Sequence, residues 1–199
     1  KEPEKVEIDD ELAKKMGVDS LDDLKARIKE RIEDDYKQLS RGHLKRALLD
    51  KLDEAHEFEL PKGMVDSEFD QIWRQVEAAG RDEEDEDKSE DELKEEYRKI
   101  AERRVRLGLV LAEIGKRADV QVPAEDLQRE MINMARAYPG QEKEILEFYQ
   151  KNPAAVQQIR APLFEEKVVD YIFERAEVKD KKVSKEKLME DPDGEEDAA

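Results

Sequence analysis

The chain has 199 residues, enough to bury a real core as one large or two small domains, but 46% are charged and only 37% apolar, so that core must be thin. A formal charge of -18, from 37 basic and 55 acidic residues, repels phosphate backbones and anionic lipid heads and argues against nucleic acid or membrane surfaces as partners. The absence of cysteine removes disulfides, thiolate metal sites and cysteine nucleophiles together, and suits a reducing compartment. No leader pattern and no apolar run near the roughly 20 residues of a membrane span is visible, so a cytoplasmic location is the expectation. Disorder competes with folding in so polar a chain. Yet the eight Gly and seven Pro are few, and the apolar residues recur at helical spacing.

In chain order, Lys1 to Lys5 reads as a linker continuing from something upstream, because it is charged, patternless and lacks an initiator Met. Asp9 or Asp10 can cap a short helix that Gly17 ends, with Leu12 and Met16 on one face. Ser20 opens a long amphipathic helix whose stripe is Leu21, Leu24, Ile28, Ile32, Tyr36 and Leu39. Asp23, three residues on, resembles the acidic partner of a capping box. The stripe resumes at Leu44, Leu48, Leu49 and Leu52, with Gly42 a weak interruption that marks a bend or break.

Pro61 stops that element and opens the next, with Val65, Phe69, Ile72, Trp73 and Val76 as its apolar face. Apolar residues then vanish from Arg81 to Glu92, which reads as a solvated acidic loop. A third long helix is expected from about Leu93 through Tyr97 and Ile100. Its middle, Val105 to Ile114, is apolar almost all round and should be central, with Gly108 admitting a neighbouring helix closely. Pro123 starts a helix carrying Leu127, Met131, Met134 and Tyr138, ended by Pro139 and Gly140. A short helix bears Ile145, Phe148 and Tyr149. After Asn152 and Pro153 another begins near Val156, is disturbed by Pro162, and continues through Leu163, Phe164, Val168, Val169, Ile172 and Phe173. Val178 to Met189 is a short appended element, and the tail from Glu190 is acidic and disordered in this reading. The fold class is all-α, since no alternating strand pattern longer than a few residues occurs.

The catalytic inventory is poor. There is no Thr, the five Ser lie at caps or in polar stretches, and the two His, at 43 and 56, are too far apart to share a helical turn. Histidines at a surface or boundary fit better than a metal pair. The acidic run Asp82 to Asp87 lacks the ordered Asp/Asn spacing, Gly and terminal Glu of a calcium loop. Arg103, Arg104 and Arg106 point in different directions on a helix, which suits ion pairs with the abundant acids better than a phosphate site. No cofactor and no metal site is expected. The apolar residues Met131, Met134, Tyr138, Ile145, Phe148 and Tyr149 read either as core or as a groove of thioethers and aromatic faces able to adapt to many apolar sequences.

Three blocks, RRVRLGLVLAEIGK (Arg103 to Lys116), EMINMARAYPGQEKEILEFYQKN (Glu130 to Asn152) and LFEEKVVDYIFERAEV (Leu163 to Val178), resemble the C-terminal domain of the bacterial trigger factor family. LLDKLDEAHEFELPKGMVDSEFD (Leu48 to Asp70) is similar to that family's long connecting helix and its entry into the first arm. Their order and spacing cover the chain from about Val6 to Met189. The resemblance implies an elongated helical body with protruding arms, and an ATP-independent chaperone module binding unfolded or nascent polypeptides. It further implies substrate contacts in the block matching Met134, Tyr138, Ile145 and Phe148, to which Met131 and Tyr149 are adjacent. The family's Gly-Phe-Arg ribosome-docking signature and any β-rich prolyl isomerase sequence are absent here, so ribosome contact would come only through that other domain, and no enzymatic activity is carried over. A homodimer is allowed, as the full-length family protein can form one. Composition and resemblance together divide the chain into a linker and short helix at 1–19, the chaperone domain at 20–189 with an acidic loop at 81–92 that matches no family motif, and a disordered acidic tail at 190–199. A helical adaptor for one folded partner is the competing reading; it predicts one tight ligand instead of many weak ones.

Overall fold

A computed structural model of the chain describes residues 8–79 and 88–189; the acidic run at 82–87, the tail from 190 and residues 1–7 fall outside them. Among the described residues there are eight α-helices and no strand. They are α1 (Asp10–Lys15), α2 (Leu21–Ala55), α3 (Lys62–Ala79), α4 (Glu90–Arg117), α5 (Ala124–Arg136), α6 (Glu142–Lys151), α7 (Pro153–Phe173) and α8 (Lys185–Met189). The chain divides into two compact units. One contains the described residues up to Leu48 together with those from Asp180 onward, and the other is Leu49–Lys179.

In the first unit, Asp9 caps α1 by accepting from the Glu11 and Leu12 N–H groups, each at 3.0 Å. Gly17, at φ +81°, reverses the chain so that the Val18 N–H returns to the Ala13 carbonyl at 3.1 Å. That reversal brings Ala13 and Val18 onto Leu24, with Leu21 beside them. Ser20 caps α2 through the Asp23 N–H at 3.1 Å, but the expected box closes differently. Asp23 accepts from the Ser20 hydroxyl at 2.8 Å, and Asp10 of α1 takes the Leu21 N–H at 2.7 Å. An Asp side chain is one methylene shorter than the Glu that usually reaches back to the cap N–H. Helix α2 continues through Gly42 without a break, since one glycine in a long helix costs only about 1 kcal/mol. Farther along, the His43 ring Nε2 donates to the Leu188 carbonyl of α8 at 2.9 Å.

In the second unit, α3 and α4 pack on a core of Val65, Ile72, Ala101 and Val105, flanked by Leu60, Phe69, Val76, Tyr97 and Leu109. Trp73 stacks on Phe69 and meets Tyr97 edge-on, with ring centroids 6.0 and 6.1 Å apart. Helix α4 starts at Glu90, ahead of the expected Leu93. Ser89 and Glu92 form a full capping box, Ser89 Oγ accepting the Glu92 N–H at 3.3 Å and Glu92 accepting the Ser89 N–H at 2.9 Å. The end of the expected loop is therefore helix, because its acids favour a first turn. The arginine trio is ion-paired, as its spacing predicts: Arg103 to Asp50 and, at 3.6 Å, to Asp53; Arg106 to Asp53 at 2.6 Å; Arg104 to Glu68 of α3 at 3.1 Å.

The close helix approach on α4 is at Gly115, not Gly108. Gly108 is exposed, and a Cβ there would meet nothing within 4 Å. A Cβ at Gly115 would lie 2.3 Å from Phe164 Cζ and 2.7 Å from Val168 Cγ2 of α7. Both glycines sit in the apolar stretch's neighbourhood, but seven residues apart they meet different surroundings, and only tertiary packing decides which faces α7. Val168 and Val169 are fully buried. Gly115 also closes its own helix: its carbonyl accepts the Val120 N–H at 2.9 Å, with Asp119 held at φ +50°.

A third cluster, Val122, Leu127 and Ile159 with Met131, Tyr149, Val156, Leu163 and Phe164, joins α5, α6 and α7. Pro162 does not interrupt α7. Pro162 and Gln158, the residue whose carbonyl it leaves without a helical donor, are both exposed, so water can satisfy that carbonyl.

The two α4 glycines give opposite predictions. Gly115→Ala should lower the free energy of unfolding by about 1–3 kcal/mol, since a methyl overpacks against a buried valine and a ring. Gly108→Ala should raise it by up to about 1 kcal/mol through helix propensity alone. Denaturant midpoints of the two variants check both signs.

Candidate functional site

Helices α5 and α6 carry five of the six residues singled out by sequence. Tyr138, expected on the same helix as Met134, lies instead in the turn after α5, which ends at Arg136 because the residue before Pro139 is steered away from helical backbone. That turn passes through Gly140, φ +89°. Pro123 opens α5 with its carbonyl, accepting from Asp126 and Leu127 at 3.1 and 3.3 Å. At α6 the Glu142 carboxylate accepts the Gly140 N–H at 2.9 Å. Backbone hydrogen bonds at Glu142 itself and at Gly140 hold that carboxyl below its usual range. Asn152 donates to the Phe148 carbonyl at 2.8 Å, closing α6 where α7 begins.

The six residues fall into two tiers. Met131 and Tyr149 pack against the Val122, Leu127 and Ile159 core, and Ile145 is half-buried. Met134, Tyr138 and Phe148 are exposed, at 40%, 56% and 51% of their surface. The tiers touch. Tyr149 donates its hydroxyl to the Met134 sulfur at 3.4 Å, and its ring meets Phe148 edge-on with centroids 5.5 Å apart. A polarizable thioether and two aromatic rings thus share one surface, next to Met131 and the core of Val122, Leu127 and Ile159.

What holds α5 against α7 is partly electrostatic. The Lys167 ammonium of α7 reaches the Asp126 carboxylate of α5 at 2.6 Å, and Arg129 stands 3.3 Å from its other oxygen. The Lys167 hydrogen bond, followed by its charge and that of Arg129, holds the Asp126 carboxyl below its usual range against the opposing effect of desolvation.

A concave surface elsewhere in the same unit escaped sequence reasoning. A cavity of about 500 Å³ is lined by His56, Phe58, Leu109, Val110, Glu113 and Ile114, with Arg117 at its edge. Phe58 is exposed, and it lies in the non-helical stretch between α2 and α3. Its signal, an apolar residue outside any periodic stripe, carries no helical pattern to read. The His56 ring Nδ1 donates to the Leu52 carbonyl at 2.8 Å, so each histidine is engaged with a backbone carbonyl. Among the described residues no group of three or more His, Asp or Glu is placed to hold a metal ion, and no helix is long and apolar enough to cross a membrane.

The family model described as bacterial trigger factor protein C-terminus matches residues 20–174. The chain belongs to this family. It is 56% identical to trigger factor of Maricaulis maris over 195 residues, 96% of this chain and 38% of that protein. Trigger factor of Hyphomonas neptunium is 51% identical over 94% of this chain and 43% of its own length, and that of Brucella abortus is 52% identical over 94% and 40%. The chain therefore spans about two fifths of the length of these trigger factors.

The Lys167 and Asp126 pair gives a pH-dependent prediction. Because the folded carboxyl is depressed, its contribution is present above the unfolded value near 3.9 and is lost as pH falls through the folded value. Lys167→Met should therefore lower stability at pH 7, and urea titrations of the two proteins should converge below about pH 4. A gap that persists undiminished at pH 3 would show that Lys167 contributes through packing alone.

Proposed function

We infer that this chain holds unfolded or nascent polypeptides without ATP, through dispersed apolar side chains, with Met134, Tyr138 and Phe148 as one contact patch. Met131 and Tyr149, packed on the core, support that patch, and the half-buried Ile145 belongs to it as well. The observation that carries the reading is the exposure of all three outer side chains on a surface whose inner members are packed. Large apolar side chains left in water on two adjacent helices and the turn between them need a reason, and an adaptable ligand surface supplies one. Within this reading residues 20–189 form the client-holding region, in a bacterial cytoplasm, and ribosome docking and prolyl isomerisation belong to other parts of the longer family protein.

The energetics favour weak, many-point holding. Burying apolar surface contributes about 25 cal/mol per Å², so a patch of roughly 200 Å² gives at most about 5 kcal/mol before ordering costs. One such patch releases a client quickly. Several patches on one flexible chain act in concert through effective concentration, and Phe58 with its cavity is a second candidate contact. Release needs no nucleotide, because a client that folds buries the segments being held. A net charge of -18 keeps the holder soluble while its patches face water.

Changing Met134, Tyr138 and Phe148 together to Ser should weaken suppression of aggregation of a denatured client severalfold, with helical content and thermal midpoint nearly unchanged. Loss of the fold instead would assign these side chains to the core. In a proline-limited refolding assay the 199 residues should leave the slow phase at its uncatalysed rate; acceleration would overturn the division of labour stated above.

A further inference from the structure

We propose that Met134 is a reversible oxidation switch on the apolar patch: a hydroperoxide converts its thioether to the sulfoxide, and the chain loosens its hold on clients. The proposal rests on the reading of Met134, Tyr138 and Phe148 as a client contact, and adds how that contact is regulated.

The chain has five methionines and no cysteine, so thioethers are the only sulfur it offers to a peroxide. Met16, Met64, Met134 and Met189 are exposed, while Met131 is packed on the core of Val122, Leu127 and Ile159. Exposure lets a peroxide reach four sulfurs alike. What sets Met134 apart is the Tyr149 hydroxyl, which donates to its sulfur at 3.4 Å, and its place beside the exposed Phe148 ring.

A thioether sulfur has two lone pairs, and that hydroxyl occupies one. An oxygen added along the same line, with an S–O bond of about 1.5 Å, would stand about 1.9 Å from the Tyr149 oxygen, far inside the roughly 2.7 Å of a hydrogen bond between oxygens. Tyr149 is not free to step aside, because its ring packs in the Val122, Leu127 and Ile159 cluster and meets Phe148 edge-on. The second lone pair is therefore the one that reacts, which fixes one configuration at the sulfur. In that step the lone pair attacks the terminal oxygen of the hydroperoxide, and the S–O bond forms as the O–O bond breaks. The proton of the transferred oxygen goes to the leaving oxygen, which departs as water or an alcohol. Sulfur gives up two electrons and the peroxide takes them. The thioether returns when two thiols pass to a disulfide and the oxygen leaves as water, the reaction of the epimer-specific sulfoxide reductases.

The product changes the patch where a client would touch it. The sulfoxide oxygen is a strong acceptor on the side of the sulfur that Tyr149 leaves open. A client that covers it with apolar groups strips its water and leaves it unpaired, which offsets what burial contributes there. Met131, the methionine that holds the scaffold, is shielded by the core, so the helices survive an oxidation that silences the surface.

Treating the full chain with hydrogen peroxide, and removing the peroxide before a denatured client is added, tests this. Mass spectrometry should find Met134 converted and Met131 largely intact. Suppression of client aggregation should fall severalfold with helical content unchanged, and a sulfoxide reductase with thiol should restore it. One of the two epimer-specific reductases should carry out most of the repair at Met134, whereas Tyr149→Phe protein should need both. A chain with Met16→Leu, Met64→Leu and Met189→Leu together should respond as the parent does. Met134→Leu, compared with its own untreated state, should not respond. Loss of holding in oxidised Met134→Leu protein overturns the proposal, as does equal repair of Met134 by both reductases in the parent. Helical signal lost together with holding would mean unfolding and would overturn it equally. Full conversion of Met134 with holding unchanged, where changing Met134, Tyr138 and Phe148 to Ser does weaken holding, overturns the switch and spares the patch. If that triple change leaves holding intact, the patch reading falls and the switch with it.

Discussion

The approach of α4 and α7 at Gly115 is the constraint on which the larger unit depends. With no side chain at that point, Phe164 and Val168 occupy space that any Cβ would claim, and the fully buried Val168 and Val169 follow from that fit. Phe164 then reaches on into the cluster that joins α5, α6 and α7, so the same ring fills the gap beside Gly115 and supports the scaffold of the candidate site. Close packing of this kind has little tolerance, because interiors are filled to crystal-like density.

Helix α4 serves two partners along its length. Its N-terminal half meets α3 through Ala101 and Val105, and its C-terminal end meets α7 through Gly115. Between these lie the arginines, each reaching a carboxylate on α3 or on the end of α2. In a protein with so many acids, cations on a central helix orient the acidic helices around it. The partly buried pairs, Arg103 and Arg106 with Asp50 and Asp53, are less screened than the fully exposed pairs within α2, which contribute little. A thin apolar core is thus supplemented by charge pairing at the helix contacts, in keeping with a chain that is nearly half charged.

The candidate patch follows from the same economy of apolar material. Helices α5 and α6 have enough apolar residues to pack inward with Leu127, Met131 and Tyr149, and further ones left over on the outside. The thioether of Met134 and the rings of Phe148 and Tyr149 are bound to one another by a hydroxyl–sulfur contact and an edge-on ring contact, which orders the surface while leaving it apolar. In the smaller unit Met16, Ile28 and Ile32 are among the apolar side chains likewise left exposed.

The sequence by itself determined the helices, their approximate limits and their family, because period, caps and prolines act over a few residues and leave their mark in local order. It also determined that the arginines of α4 would be paired, since one sign of charge was in large excess. It placed five of the six apolar residues on two short neighbouring helices, and Tyr138, which lies just past the first, on it as well; it could not divide Met131 and Tyr149 from Met134, Tyr138 and Phe148, because all share helical spacing and composition. That division was made by α7, through Ile159, Leu163 and Phe164. Likewise the sequence pointed to Gly108 as the place that admits a neighbour, and only the position of α7 put the close approach at Gly115 instead. Phe58 and its cavity were invisible for the same reason: they arise where a non-helical segment meets a helix some fifty residues away in sequence, a contact with no local signature.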